Sequence, residues 1–224
     1  MSTYKTIGCV VTACGLSQQL VDQFMITNRL YENGIELFIT TFKGDDIISP
    51  GATITEIERT DLFNIGYAAN ASIIKAVDYC DMVIKTDIDC ILSKDCLTQI
   101  EKTELKKGFC YRYWEVENAK SIDHATINPR TMGTVCLSSC DWSNLRGYDE
   151  RLTAYGYDDY HMIDRARKTG CIVPIQMDPK VYHISHEEKH NRETINPVMR
   201  KENMTISATE WTDCEESIKW GMVK

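Results

Sequence analysis

The chain has 224 residues, 43% of them hydrophobic, enough to bury a core without staples from disulfides or a structural metal. Lys and Arg number 25 against 33 Asp and Glu, a formal charge of −8 with no basic run, which argues against a partner held through phosphate charge alone, as nucleic acid is. The apolar stretches are broken by Thr, Lys or Asp well short of the ~18 residues of a membrane span, and Met1 to Thr6 lack the apolar block of a signal peptide, so a cytoplasmic protein is expected.

Thr6 to Ala13 is an apolar, β-branched run and predicts a strand. Ser17 can cap a helix whose Leu20, Val21, Phe24 and Met25 recur at helical spacing, with Asn33-Gly34 as a left-handed stop. Ile35 to Phe42 reads as a second strand, and a helix between two strands implies a right-handed crossover in a parallel sheet, with ligands at the strands' carboxyl ends. Lys43 to Gly51 reads as a loop, and an amphipathic helix is predicted from about Asn64 to Val77. The strand Met82 to Thr86 then runs into Asp87-Ile88-Asp89. From Ser93 the pattern predicts a helix, followed by aromatic-rich irregular structure around Tyr111, Tyr113 and Trp114. Gly133 to Ser138 is a further strand and Asp158 to Lys168 a helix ended by Gly170, while Cys171 to Ile175 and Lys180 to Ile184 read as short closing strands. The class is α/β with a mostly parallel central sheet. No linker or repeat divides the chain, so 1–224 is expected to form one domain that ends in a polar tail, 191–224.

Ten cysteines, at 9, 14, 80, 90, 96, 110, 136, 140, 171 and 214, include no CxxC and no zinc-ribbon spacing. Most have apolar neighbours, as Cys9 does in Ile-Gly-Cys-Val-Val, and are expected to be buried, reduced thiols.

Three constellations carry possible chemistry. Asp87 and Asp89, two apart at a strand end, would project to one side and offer hard oxygen ligands to Mg²⁺ or Mn²⁺, the usual companion of a nucleotide diphosphate. Gly147-Tyr148-Asp149-Glu150-Arg151 and Ala154-Tyr155-Gly156-Tyr157-Asp158-Asp159 alternate aromatics with glycine and open a helix on two carboxylates, which suits a sugar and removal of a hydroxyl proton. His183 and Ser185 would share a face of the last strand, and His183 could add a nitrogen ligand that Mn²⁺ accepts better than Mg²⁺. His186-Glu187-Glu188-Lys189-His190 matches H-E-x-x-H, but its all-charged interior offers no apolar stripe for a zinc-peptidase helix.

Together these segments, over about residues 6–190, resemble the GT-A nucleotide-sugar glycosyltransferases, and the C-terminal half is similar to the galactosyltransferase/N-acetylgalactosaminyltransferase group. The resemblance implies a nucleotide-sugar-binding half, 1–92, and an acceptor-binding half, 93–190. Thr60 to Asn70 resembles the segment before the family's metal motif, Asp87-Ile88-Asp89 its D-x-D, and Gly147 to Asp159 its G-G-x-D-E … W-G-x-E-D acceptor segment. The resemblance implies that Asp89 binds metal and Asp87 the ribose or the metal shell. It implies further that Phe63, Asn64 and Asn70 border the nucleotide, that Asp159 is the general base with Asp158 holding the acceptor, and that His183 completes the metal site, His186 being a second candidate. Tyr155 stands for the family's Trp, Tyr157 for a Gly and Asp158 for a Glu, which leaves sugar and acceptor open.

The implied activity is metal-dependent transfer of a hexose from a UDP-sugar to a hydroxyl of a carbohydrate or glycoconjugate acceptor, with inversion, using Mn²⁺ or Mg²⁺. A sugar nucleotidyltransferase would place a Gly-rich basic loop after the first strand, where this chain has Cys14-Gly15-Leu16-Ser17. A non-catalytic carbohydrate-binding protein would keep aromatics without needing acids at 87, 89 and 159. The sequence leaves the oligomeric state open.

Overall fold

A computed structural model of the chain describes residues 5–59, 64–103, 108–118, 120, 122–153, 156–171, 175–184 and 197–208. The β-branched run forms β1 (Ile7–Thr12), and the amphipathic stretch behind it forms α1 (Gln18–Asn28), which buries Val21 and Phe24. The helix stops earlier than Asn33-Gly34, at Arg29 with φ 45°, and a 3-10 turn (Tyr31–Asn33) then leads to Gly34 at φ 67°. The next strand, β2 (Ile35–Phe42), pairs parallel with β1, Ile7 opposite Ile35, as the crossover argument requires. After the loop comes a strand the pattern did not announce, β3 (Thr53–Ile57), parallel to β2 at the sheet edge.

Asn64 caps α2 (Ile65–Tyr79) by accepting the Tyr67 N–H at 2.8 Å, and α2 delivers the chain to the fully buried β4 (Met82–Lys85), parallel to β1. The short β5 (Cys90–Leu92) follows, then the Ser93-capped α3 (Lys94–Lys102). The aromatic stretch expected to be irregular is instead β6 (Phe109–Val116): Tyr111 and Tyr113 point into the core while Arg112 and Trp114 are half-buried. Bulky residues on both phases hid that alternation. The predicted 133–138 strand is the second half of β7 (Thr126–Ser138), which continues into α4 (Ser139–Leu145). Helix α5 (Asp158–Lys168) matches its predicted range, β8 (Gln176–Ile184) begins four residues before its prediction, and α6 (Pro197–Ala208) lies in the polar tail. The strand expected at Cys171 to Ile175 falls largely on residues outside those described.

One eight-stranded sheet, ordered β3-β2-β1-β4-β7-β6-β8-β5, spans both halves of the chain. All strands run one way except β7 and β5, so the sheet is mixed but mostly parallel. Each face has its own core. Val21, Phe24, Ile84, Ile100, Tyr111 and Val181 fill one, and Ala69, Ile73, Val83, Trp142, Tyr148 and Met162 the other. The nine described cysteines are free, and burial pushes most of their thiols up, Cys96 to about 12. Among the described residues no helix is long and apolar enough to cross a membrane.

Candidate active site

β1, β4 and β6 end on the same edge of the sheet, and the acids gather there. Past Lys85 the chain turns: the Cys90 N–H donates to the Asp87 carbonyl at 3.1 Å, and the Thr86 and Thr134 hydroxyls bond at 2.7 Å, tying the turn to β7. That turn, rather than the extended spacing expected, brings Asp87, Asp89 and Cys90 together, one ligand atom from each lying within 4.8 Å of the others. Burial and the neighbouring acids raise the Cys90 thiol well above the usual range, which favours its protonated form while no cation is bound.

Asp87 accepts from the Lys85 ammonium (Oδ1, 2.9 Å) and from the Tyr113 hydroxyl (Oδ2, 2.9 Å). Burial works against its charge, but Lys85 and Tyr113 hold the carboxyl below its ordinary value. Asp89 lies 3.3 Å from His183 Nε2, whose Nδ1 is 2.8 Å from Glu115 Oε2. Strand register makes this constellation, since His183 faces Cys90 across β5 and β8 and Glu115 across β6 and β8. Its ring stacks on Tyr113 at 5.5 Å with 1° between planes. Burial would lower the imidazole pKa, yet Asp89 and Glu115 raise it to about 9.

Across from this group, Asp158 and Asp159 occupy the first turn of α5, entered through Tyr157 at φ 72°. Asp159 Oδ1 accepts from the Tyr148 hydroxyl at 3.1 Å and from Lys85 at 3.4 Å. Burial pushes its carboxyl up, Lys85 pulls it down, Asp158 and Asp87 push it up again, and the balance is about 7. Burial also raises Asp158. The Asp87 and Asp159 side chains remain 35% and 24% exposed, open enough to meet a ligand.

The loop expected to offer an aromatic platform is an internal scaffold at its first half: Tyr148 is 1% exposed and its hydroxyl serves Asp159. Asn70, wholly buried, accepts the Tyr148 N–H at 2.8 Å and donates to the Tyr148 carbonyl and the Glu150 carboxylate, both at 2.9 Å. Asn64 donates to the Glu150 carbonyl at 2.7 Å while capping α2. Both amides therefore brace the loop rather than face an open cleft. Asp149 is gripped by Arg151 through Nε at 2.9 Å and Nη2 at 2.6 Å. Phe63, Tyr155, Ser185 and the run His186 to His190 lie outside the described residues.

The structure thus brings together Asp87, Asp89, His183, Asp158 and Asp159. Reasoning from sequence missed Lys85, Tyr113, Glu115 and the Tyr148 hydroxyl. Lys85 left a signal, a cation ending the buried run Met82-Val83-Ile84. Glu115 and the tyrosines acquire meaning only through strand register.

The sheet order gives the class of architecture, the GT-A fold, which the chain shares with solved glycosyltransferases. The chain superposes on a mutant of Drosophila β1,4-galactosyltransferase 7 in complex with manganese, UDP-Gal and xylobiose, with TM-score 0.62 and 13% identity over 92% of this chain and 80% of that one. TarS 1–349 of S. aureus in complex with UDP-GlcNAc gives TM-score 0.64 and 11% identity over 90% and 65%. The mannosyltransferase PcManGT of Pyrobaculum calidifontis, with GDP-Man and Mn²⁺, gives 0.59 and 12% over 92% and 64%. Neither a protein-family model nor a curated protein matches the sequence.

Proposed function

We propose that the chain is a metal-dependent glycosyltransferase that moves a hexose from a UDP-sugar to a hydroxyl of a carbohydrate or glycoconjugate acceptor, with inversion. The observation that carries this reading is the two-sided acidic site at the sheet's carboxyl edge, with Asp87, Asp89 and His183 on one side and Asp159 on the other. The fold is shared with enzymes solved with nucleotide sugars and Mn²⁺.

Asp87 and Asp89 offer hard oxygen donors that suit Mn²⁺, and His183 Nε2, 3.3 Å from Asp89, is the neighbouring nitrogen that would join them on losing its proton. Asp89 and His183 would hold the ion, with Asp87 completing the set or meeting the ribose. A bound divalent cation would neutralise the charge growing on the departing diphosphate. The chain's own residues do the rest. Asp159 takes the proton of the attacking hydroxyl, its carboxylate oriented by Tyr148 and Lys85, and Asp158 holds the acceptor beside it. Of the segment expected to border the uridine, Asn64 and Asn70 would shape the nucleotide's surroundings through the 147–150 loop that they brace, and not by direct contact. Among the described residues nothing near β1 favours a triphosphate, since the Gly15 N–H is held by the Asp45 carboxylate at 2.7 Å.

The test is UDP release from UDP-Gal, UDP-Glc, UDP-GlcNAc and UDP-GalNAc, with and without Mn²⁺, over a panel of simple sugar acceptors. Asp89→Ala should abolish both Mn²⁺-dependent UDP binding and turnover. Asp159→Asn should keep UDP binding and lose transfer by ~10²–10⁴-fold. A fully active Asp159→Asn enzyme overturns the base assignment, and a wild-type chain indifferent to every UDP-sugar overturns the transferase reading.

A further inference from the structure

Lys85 touches both halves of the site. It is the last residue of β4, with its side chain 3% exposed, on the same strand face as Val83 and the core of Trp142 and Tyr148. An uncompensated ammonium there would be strongly disfavoured, and an aliphatic residue would continue the strand's pattern. Instead the ammonium lies 2.9 Å from Asp87 Oδ1, 3.4 Å from Asp159 Oδ1 and 5.5 Å from the centre of the Tyr148 ring. Each carboxylate has a second, neutral donor of its own, Tyr113 on Asp87 and Tyr148 on Asp159. The two acids therefore do not need Lys85 for hydrogen bonding. What the ammonium adds is charge between two negative groups that approach closely enough for one Oδ2 of each to lie 3.0 Å from the point where a Gly133 Cβ would stand.

Resting on the transferase reading, we propose that Lys85 is a positioning residue that clamps Asp159, on the acceptor side, to Asp87, on the donor side, so that proton acceptor and donor motif keep one fixed relation through turnover. Lys85 keeps its own protons; the hydroxyl proton passes to Asp159. The clamp spans two elements, β4 and α5, that are adjacent in space but joined in sequence only through the rest of the acceptor half. Without it the two carboxylates repel, and Asp159 loses the orientation that an attacking hydroxyl requires, while the metal-binding pair Asp89 and His183 stays intact.

The discriminating experiment is a double-mutant cycle on the full chain, using whichever UDP-hexose and sugar acceptor the wild type turns over, with calorimetric UDP binding in Mn²⁺ as the check on fold and donor site. Lys85→Met should leave the UDP dissociation constant and donor KM within about threefold and lower kcat about 100-fold. Because Lys85 acts through Asp159, the double variant Lys85→Met/Asp159→Asn should be no more than about threefold slower than Asp159→Asn alone. Multiplying losses overturn the clamp, and so does a Lys85→Met enzyme with kcat within threefold of wild type. If Lys85→Met does not bind UDP, Lys85→Gln, neutral but still a donor, takes its place with the same expectations. Failure of both to fold overturns the role by making Lys85 a structural residue. A wild type without transfer overturns the transferase reading and the clamp together, whereas an active wild type with an unaffected Lys85→Met overturns the clamp alone.

Discussion

Gly133 faces the site from β7, where the antiparallel register sets Lys85 opposite Val135 and so carries position 133 to the level of Asp87. A Cβ there would stand 2.6 Å from the Tyr113 hydroxyl and 3.0 Å from both Asp87 Oδ2 and Asp159 Oδ2. Tyr113 is 2% exposed and stacked on His183, so it has little room to yield, and the carboxylates would have to part. Gly133→Ala should therefore cost about 1–3 kcal/mol in a denaturant melt and lower kcat by ~10–100-fold, while UDP still binds. Normal stability with normal kcat would show that the three groups are not held as tightly as their distances imply. The same residues mark the limit of sequence reading. Asp87, Asp89, Asp159 and His183 were legible because chemistry and chain order select them. Gly133, Lys85, Tyr113 and Glu115 were not, because each matters through a strand pairing that no local pattern encodes.

At the scale of elements, α5 and the 147–152 loop meet around His161, which is 2% exposed, with Arg165, Asp149, Arg151 and Asp164 around it. Arg165 donates to the Leu145 carbonyl at 2.9 Å and to that of Gly147, fastening the helix that carries Asp159 to the loop that carries Tyr148. Burial, Arg165 and Arg151 lower the His161 pKa from 6.5 to about 4, outweighing Asp149 and Asp164. Between those values the unfolded chain binds the proton that the fold refuses, so the His161 contribution is present above pH 6.5 and lost as pH falls toward 4. Over that range the loss is about 2–3 kcal/mol. Asp159, raised to about 7, gains stability over the same range as pH falls, so the His161 share must be read as a difference. Denaturant melts of wild type and His161→Gln at pH 7 and 4.5 should show wild type losing that much more than the variant on acidification; equal losses would mean that His161 titrates normally. The helices α2 and α5, with a clear period, and β4, an unbroken apolar run ending in Lys85, are legible in the residue pattern alone. β3 mixes two isoleucines with Thr and Glu, β5 has only three residues, and β6 carries bulky residues on both faces.

Across the whole molecule, the side of the site proposed to hold the donor is assembled from distant parts of the chain. Asp87 and Asp89 follow β4 in the first half, whereas His183 and Glu115 come from β8 and β6 in the second, joined only because β8 runs between β6 and β5 in one continuous sheet. A ligand held by both groups must stabilise both regions together. UDP with Mn²⁺ at 100 times its dissociation constant should add about 2.7 kcal/mol, a rise of roughly 5–10 °C in Tm for a chain of this size. Amide hydrogen exchange should slow in two separated stretches, 86–90 and 181–184. Asp89→Ala should remove both effects. His183→Ala, at ligand concentrations raised to restore saturation, should keep protection at 86–90 and lose it at 181–184, because the link from the site to β8 runs through that imidazole. Protection confined to 86–90 in the wild type would exclude β8 from the donor site and leave His183 as the partner of Asp89 and Glu115 alone.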